Sequence, residues 1–278
     1  MDKGTLYIVA TPIGNLGDIT LRAIETLKNA DVIAAEDTRH TLKLLNNLGI
    51  KNRLVSFFEH SPEAKAQEII SMLEEGKSVA LVSDAGMPLI SDPGAPLTRL
   101  CAERGIPFTC VPGACAAVTA AVLSALPTEK FTFEGFLPKD KKERKDALLH
   151  ALKCEYTTIL YESPHAIKRT LSDIAALYPE RRISICKELT KLHESVLRGS
   201  AKELSGKFSQ IDEVRGEFVI VIEGCPIQKR KLTDEDILSM LNEKLIAGLK
   251  PKEAIKQTAA LLDAGKNRVY SLYTDNFD

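Results

Sequence analysis

The chain has 278 residues, a length that suits two domains, with 44% apolar and 27% charged residues, an ordinary globular mix. Its formal net charge is −1, so nothing pulls the whole molecule toward nucleic acid, and any RNA or DNA affinity must come from a local patch. No stretch approaches the ~20 apolar residues of a membrane span, and the apolar run at residues 6–11 is too short for a signal-peptide core.

Residues 5–10 form a continuous apolar run, the pattern of a strand buried on both faces. The turn TPIGNLGD follows, and Leu21, Ile24 and Leu27 then recur at helical spacing. Residues 31–35 read as a second strand, ending in Glu36-Asp37-Thr38-Arg39-His40. Leu42, Leu45 and Leu48 mark a helix stopped by Gly49, and residues 54–58 a third strand. Ser61-Pro62 opens the next helix and Gly76 closes it. Residues 79–82 are a fourth strand, which runs into SDAGMPLISDPG at 83–94 and then a helix expected at 96–104. Residues 107–111 are a fifth, leading into Pro112-Gly113-Ala114-Cys115-Ala116 and an Ala-rich helix. Five alternations of strand and helix predict a parallel, doubly wound α/β sheet.

Pro127 and the Thr-Glu-Lys run after it interrupt this rhythm. They place a boundary that gives a first α/β domain at 1–127 and a second at 128–228. In the second, strands are expected at 131–136, 157–161, 183–187, 195–199 and 217–223, with a helix after Ser163-Pro164 carrying Ile167, Leu171 and Ile174. Residues 194–199 and 217–224 are close enough in sequence to pair antiparallel, which predicts a mixed sheet with few helices. Residues 138–145 read as a basic loop. After the basic linker at 228–231, residues 229–278 read as a small helical appendage of helix-turn-helix type. Thr233 and Asp236 form a capping box there, Ile237, Leu241 and Leu245 stripe the first helix, Pro251 opens a second, and residues 266–273 suit a short third.

The loop at 83–94 is the candidate ligand site. A strand that runs into a Gly/Pro-rich loop and then a helix sits where open α/β sheets form their ligand crevice. Gly86 brings backbone close to a ligand because no Cβ stands in the way. Asp84, Ser91 and Asp92 suit ribose hydroxyls or an amino group. The competing reading is an ordinary connection with turn residues in their usual places. The first turn has only G-x-x-G, and neither a phosphate-loop signature nor G-x-S-x-G occurs. Conventional dinucleotide binding, phosphate-loop nucleotide hydrolysis and esterase-type hydrolysis are therefore set aside. The six cysteines, at 101, 110, 115, 154, 186 and 225, include no C-x-x-C pair, sit mostly in apolar runs and read as reduced, buried packing thiols of a cytosolic protein. The five histidines lack metal-ligand spacing, and no metal is expected.

The motifs TPIGNLGDIT, AAEDTR, SDAGMPLISDPG, FEGFLP, YESPH and KELTKLHE occur in this order across residues 4–224. Together they closely resemble the tetrapyrrole-methylase superfamily, in its branch that methylates a cytidine 2'-hydroxyl of 16S rRNA. The resemblance implies two α/β domains with S-adenosylmethionine in the cleft between them, a homodimer, and a substrate in the decoding region of the small ribosomal subunit. Carried over by position, it places the cofactor against Pro12 of the first turn, and Asp84, Ala85, Gly86, Met87, Ile90 and Ser91 of the loop. Gly113, Ala114, Cys115 and Ala116 of the fifth-strand turn follow, with Tyr161 and Glu162 of the second domain. Met87 stands where the family more often has Thr, Cys115 where it often has Ser, and Ala166 where YESPH is usually followed by Arg.

A ribose hydroxyl is a weak nucleophile, so a positioned base helps its transfer chemistry. Glu36, Asp37, Lys187 and Glu188 are the candidates at strand ends, each with the competing reading of a solvated terminal charge. Arg39 and His40, with Lys139, Lys141, Lys142, Arg144 and Lys145, are the candidate RNA contacts. Cys115 has no histidine near it in sequence and reads as a lining residue rather than a nucleophile. The alternatives are the same fold acting on a small molecule such as a tetrapyrrole, and a non-catalytic nucleotide-binding module.

Overall fold

The computed structural model describes residues 3–58, 63–91, 95–225 and 232–277. The expected cap at Ser61-Pro62, the end of the glycine-rich loop and the basic linker lie outside the described residues. The chain divides into two compact units, Met1–Cys225 and Pro226–Asp278.

The first unit begins with β1 (Leu6–Val9), α1 (Leu21–Asn29), β2 (Val32–Ala35), α2 (Thr38–Asn47), β3 (Leu54–Ser56), α3 (Glu63–Glu74), β4 (Val79–Val82), α4 (Ala95–Glu103), β5 (Phe108–Val111) and α5 (Ala116–Ser124). The five strands are all parallel, in the order β3-β2-β4-β1-β5. Strand alternation sends Val79 and Leu81 to one face and Ala80 and Val82 to the other. The first pair packs with Ile70, Leu73 and Leu97 of α3 and α4, and the second with Ala23, Leu27 and Leu45 of α1 and α2. Helices on both faces are what the unbroken apolar strands require. Each fully buried Leu or Ile in these layers contributes about 1.5–3 kcal/mol. Two expected core positions are not in the core: Leu21 is 86% and Leu42 49% exposed. Thr20 and Asp37 cap these helices in their first turns, and the buried stripes are Ala23/Leu27 and Thr41/Leu45.

The unit continues with β6 (Phe131–Phe136), α6 (Lys141–Lys153), β7 (Thr157–Glu162), α7 (Ile167–Leu177), β8 (Arg182–Lys187), β9 (Ser195–Ser200), α8 (Ala201–Ser209) and β10 (Phe218–Ile222). The sheet is mixed, in the order β6-β7-β10-β8-β9. The antiparallel partner of β9 is β8, with Lys187 opposite Ser195, rather than the strand at 218–222. That strand, buried at every position, takes the central place between β7 and β8. Nor are helices sparse. Of the basic segment expected as a loop, residues 141–145 are instead the start of α6, capped by Asp140, whose carboxylate accepts from the N–H groups of Lys142 (2.8 Å) and Glu143 (3.0 Å). Helix α8 starts from a Ser200/Glu203 capping box. One face of the sheet packs on α6, α7 and α8 through Leu152, Leu160, Leu171 and Leu204. The other packs on α5, where Ala117, Ala120 and Ala121 meet Ile159, Val219 and Val221.

The second unit is α9 (Asp234–Ile246), α10 (Pro251–Leu261) and α11 (Lys266–Phe277) around Ile237, Leu241, Ile255, Val269 and Tyr273. The Thr233/Asp236 capping box is present, and α11 runs four residues past its expected end. Among the described residues no helix is long and apolar enough to cross a membrane.

Candidate active site

The turns after β1, β4 and β5 open side by side, because these strands are neighbours in the sheet. Thr11 and Gly86 close them together, with N–H to carbonyl bonds of 2.9 and 3.1 Å in the two directions. Gly86 lies at φ 83°, and a Cβ there would stand 3.0 Å from Ile13 Cγ2. Leu89 (φ 73°) and Ser91 (φ 65°) also take left-handed backbone in this turn. Such strain is held in place by surrounding contacts and clusters at ligand sites.

A cavity of about 380 Å³ lies over these turns and under the second sheet. That is within the size range of small-molecule sites. Asp84, Ala85, Gly86, Met87, Ile90, Ser91, Cys115, Ala116, Tyr161 and Glu162 all line it, as does Glu36. Pro12, Gly113 and Ala114 do not. Ile13 takes the place expected of Pro12, Gly113 packs on Ala10, and the Ala114 carbonyl stands behind Gly86. Residues that sequence reasoning missed complete the wall: Phe136, Ser163, Pro164, Cys186, Leu189, Glu217, Phe218 and Val219. The Tyr161 hydroxyl accepts from the Ala117 N–H at 3.2 Å and so ties the second sheet to α5.

The four candidate bases separate. Glu36 lines the cavity. Asp37 does not: its carboxylate accepts from Arg39 at Nε (3.1 Å), Nη2 (2.8 Å) and the backbone N–H (2.8 Å). The Arg39 side chain and backbone hold that carboxyl far below the ordinary carboxylate range, which leaves a poor proton acceptor. Glu188 spends Oε1 on the Glu217 N–H (2.9 Å) and Lys191 Nζ (3.0 Å). Burial pushes its carboxyl up, but those two partners together bring it below its usual value. Lys187 lies at the end of β8 with its ammonium 5.9 Å from the Phe218 ring.

Glu162 lines the cavity but turns its carboxylate inward. Oε1 accepts from the Ser163 N–H at 2.8 Å, and Oε2 from the Thr170 hydroxyl. Arg144 stands behind them, with Nη2 donating to Thr170 Oγ1 at 2.7 Å and Nη1 3.8 Å from Glu162 Oε2. Arg144 is therefore corrected as an RNA contact: it is 5% exposed, on the inner face of the helix whose Lys141, Lys142 and Lys145 stay outside. Lys139, Arg39 and His40 are exposed as well. Only two of the cysteines, Cys101 and Cys186, are buried, and Cys110 is exposed on the edge strand β5. Among the described residues no group of three or more His, Cys, Asp or Glu side chains could hold a metal ion.

The cleft thus lies at the carboxyl ends of a parallel sheet and is roofed by a second, mixed sheet. The chain belongs to the tetrapyrrole (corrin/porphyrin) methylases, whose family model matches residues 5–205. Along nearly its whole length it is similar to the ribosomal RNA small subunit methyltransferase I of Halalkalibacterium halodurans, 47% identical over 98% of this chain and 95% of the relative. The protein of the same name from Bacillus subtilis is 43% identical over 98% and 94%. Among solved structures, the methyltransferase CobJ superposes with a TM-score of 0.60 at 17% identity, over 80% of this chain and 95% of that one. A uroporphyrin-III C-methyltransferase from Thermus thermophilus, complexed with S-adenyl homocysteine, gives 0.54 at 14% identity over 78% and 96%. These last two likenesses support the fold.

Proposed function

We propose that this chain is an S-adenosylmethionine-dependent methyltransferase that modifies the ribose 2'-hydroxyl of a cytidine in the decoding region of 16S rRNA. The observation that carries the reading is the 47% identity, over 98% of the chain, to a protein named as a small-subunit rRNA methyltransferase. The cavity suits the cofactor. Gly86 offers backbone with no Cβ, Ile13, Met87 and Ile90 give an apolar wall, and Asp84 and Glu36 are acceptors for hydroxyl or amino groups. When bound, the cofactor supplies a methyl group on a sulfonium, open to in-line displacement. The protein's part is to hold the acceptor hydroxyl in line and near contact, an orientation effect that supplies several kcal/mol of such a barrier. Glu36 is the base we assign, because of the four candidates, Glu36, Asp37, Lys187 and Glu188, it is the one that lines the cavity.

The same reading takes residues 1–127 and 128–228 as separate domains, places the protein in the cytoplasm and pairs it with a second copy. Helix α5 has no charged residue, and Val118 and Val122 are 51% and 74% exposed on it. Sedimentation at micromolar concentration tests the dimer. Residues 229–278 are assigned to the RNA grip. The activity is tested by mass mapping of small-subunit rRNA methyl groups in cells with and without the protein. Loss of one ribose methyl at a cytidine is expected. An unchanged map refutes the reading.

A further inference from the structure

Strand β6, Phe131–Phe136, carries a bulge. Phe133 pairs with Ile159 and Gly135 with Leu160, so Glu134 is an extra residue. Phe133 and Phe136 are three apart in sequence and would face opposite ways on a regular strand. The bulge puts both on the Tyr161 side, where their rings meet Tyr161 edge-on at 4.9 and 5.5 Å. Gly135 makes the bulge possible: it sits at φ 63°, and a Cβ there would be 2.8 Å from Ser91 Oγ. Bulges near active sites commonly re-aim a side chain in this way. Here the result is a phenyl ring on the cavity lip that is 57% exposed.

The charges around that ring are sorted. Inside, Glu36 and Asp84 line the cavity and disfavour phosphate. Outside, three exposed lysines, Lys139, Lys141 and Lys142, follow Phe136 within six residues, and the one acid among them, Asp140, is engaged in capping the helix.

We propose that Phe136 is the stacking platform for the target base of the RNA, unstacked from its neighbours and laid on the ring while its ribose enters the cavity. The inference rests on the proposed rRNA activity. Base–aromatic stacking is insensitive to base identity and depends on a flat ring, so the platform selects an accessible nucleotide rather than a sequence.

The test uses the full chain with labelled S-adenosylmethionine and small-subunit rRNA. Phe136→Ala and Phe136→Leu should both weaken rRNA affinity and raise its KM by about 5- to 140-fold, with calorimetric affinity for S-adenosylhomocysteine unchanged. Phe136→Trp should keep both near wild type. Full rescue by Leu means that the residue only fills space and overturns the proposal. A parallel loss of S-adenosylhomocysteine affinity overturns it too, by assigning the ring to the cofactor. Wild-type activity with an unaltered Phe136→Ala removes the platform and leaves the rRNA reading standing. A wild-type protein that transfers no methyl to rRNA removes both.

Discussion

Replacing Arg144 by Met removes a guanidinium that is 5% exposed and leaves Glu162, 6% exposed, without its positive neighbour. The lost contacts are the 2.7 Å bond to Thr170 and the 3.8 Å approach to Glu162. The 3.6 Å approach to Asp173 counts for little, because that side chain is 44% exposed. Stranding one member of a buried pair costs about 3–5 kcal/mol. For a unit of this size that is a fall in Tm of roughly 10 °C. Glu162→Gln in the same chain removes the stranded charge and should recover at least half of the loss. Lys142→Met, on the outer face of the same helix, should stay within about 0.5 kcal/mol while weakening rRNA binding. Thermal unfolding read by circular dichroism and calorimetry separates the three. A cost below about 1 kcal/mol for Arg144→Met, or none recovered by the double variant, refutes the view that this cation holds the cavity wall from behind.

Gly86→Val puts a β-branched residue at φ 83° with its Cβ 3.0 Å from Ile13. It should abolish S-adenosylhomocysteine binding by calorimetry while far-ultraviolet dichroism is kept, and unchanged affinity means the cofactor lies elsewhere. Thiol titration should find six reactive groups in denatured, unreduced protein. In the native protein Cys110 should react first and Cys101 and Cys186 last, since burial pushes both of those thiols up to about 11. Four or fewer groups after denaturation contradict the reduced state. A chain ending at Lys231 should keep its affinity for S-adenosylhomocysteine and bind rRNA more weakly, with a shallower slope of log affinity against log salt. Lys252 and Lys256 of α10 are exposed, whereas Arg268 is engaged by Asp234 at 2.6 Å and the Leu232 carbonyl at 2.9 Å, so an unaltered slope makes the tail a packing element.

The first sheet was legible because its physics is local. A strand buried on both faces must be an unbroken apolar run, and VALV at 79–82 is buried at all four positions. The turn after it carries glycine and proline, and ten of the thirteen positions expected to meet the cofactor there and nearby line the cavity. The second sheet hid its helices because one core position of α6 is filled by a cation. Its buried stripe is Arg144, Leu148, Ala151 and Leu152, so the first turn reads as wholly solvated charge.

Three of the missed wall residues, Cys186, Phe218 and Val219, belong to strands buried on both faces. Phe218, Ile220 and Ile222 pack on the α6–α8 side, and Val219 and Val221 on the α5 side. Alternation shows that two sets exist, but the cavity takes one residue from each, Phe218 and Val219, at the end of the strand, so alternation alone does not pick them out. Phe136 is harder still. Its direction is set by one extra residue in a ladder, and a period-2 reading of FTFEGF aims it away from Tyr161. The glycine beside it was the only trace in the sequence. Phe136, the proposed base platform, thus owes its placement to a departure from regular structure. Periodicity places the glycine-bearing turns at the strand ends, and it does not place a side chain re-aimed by a bulge.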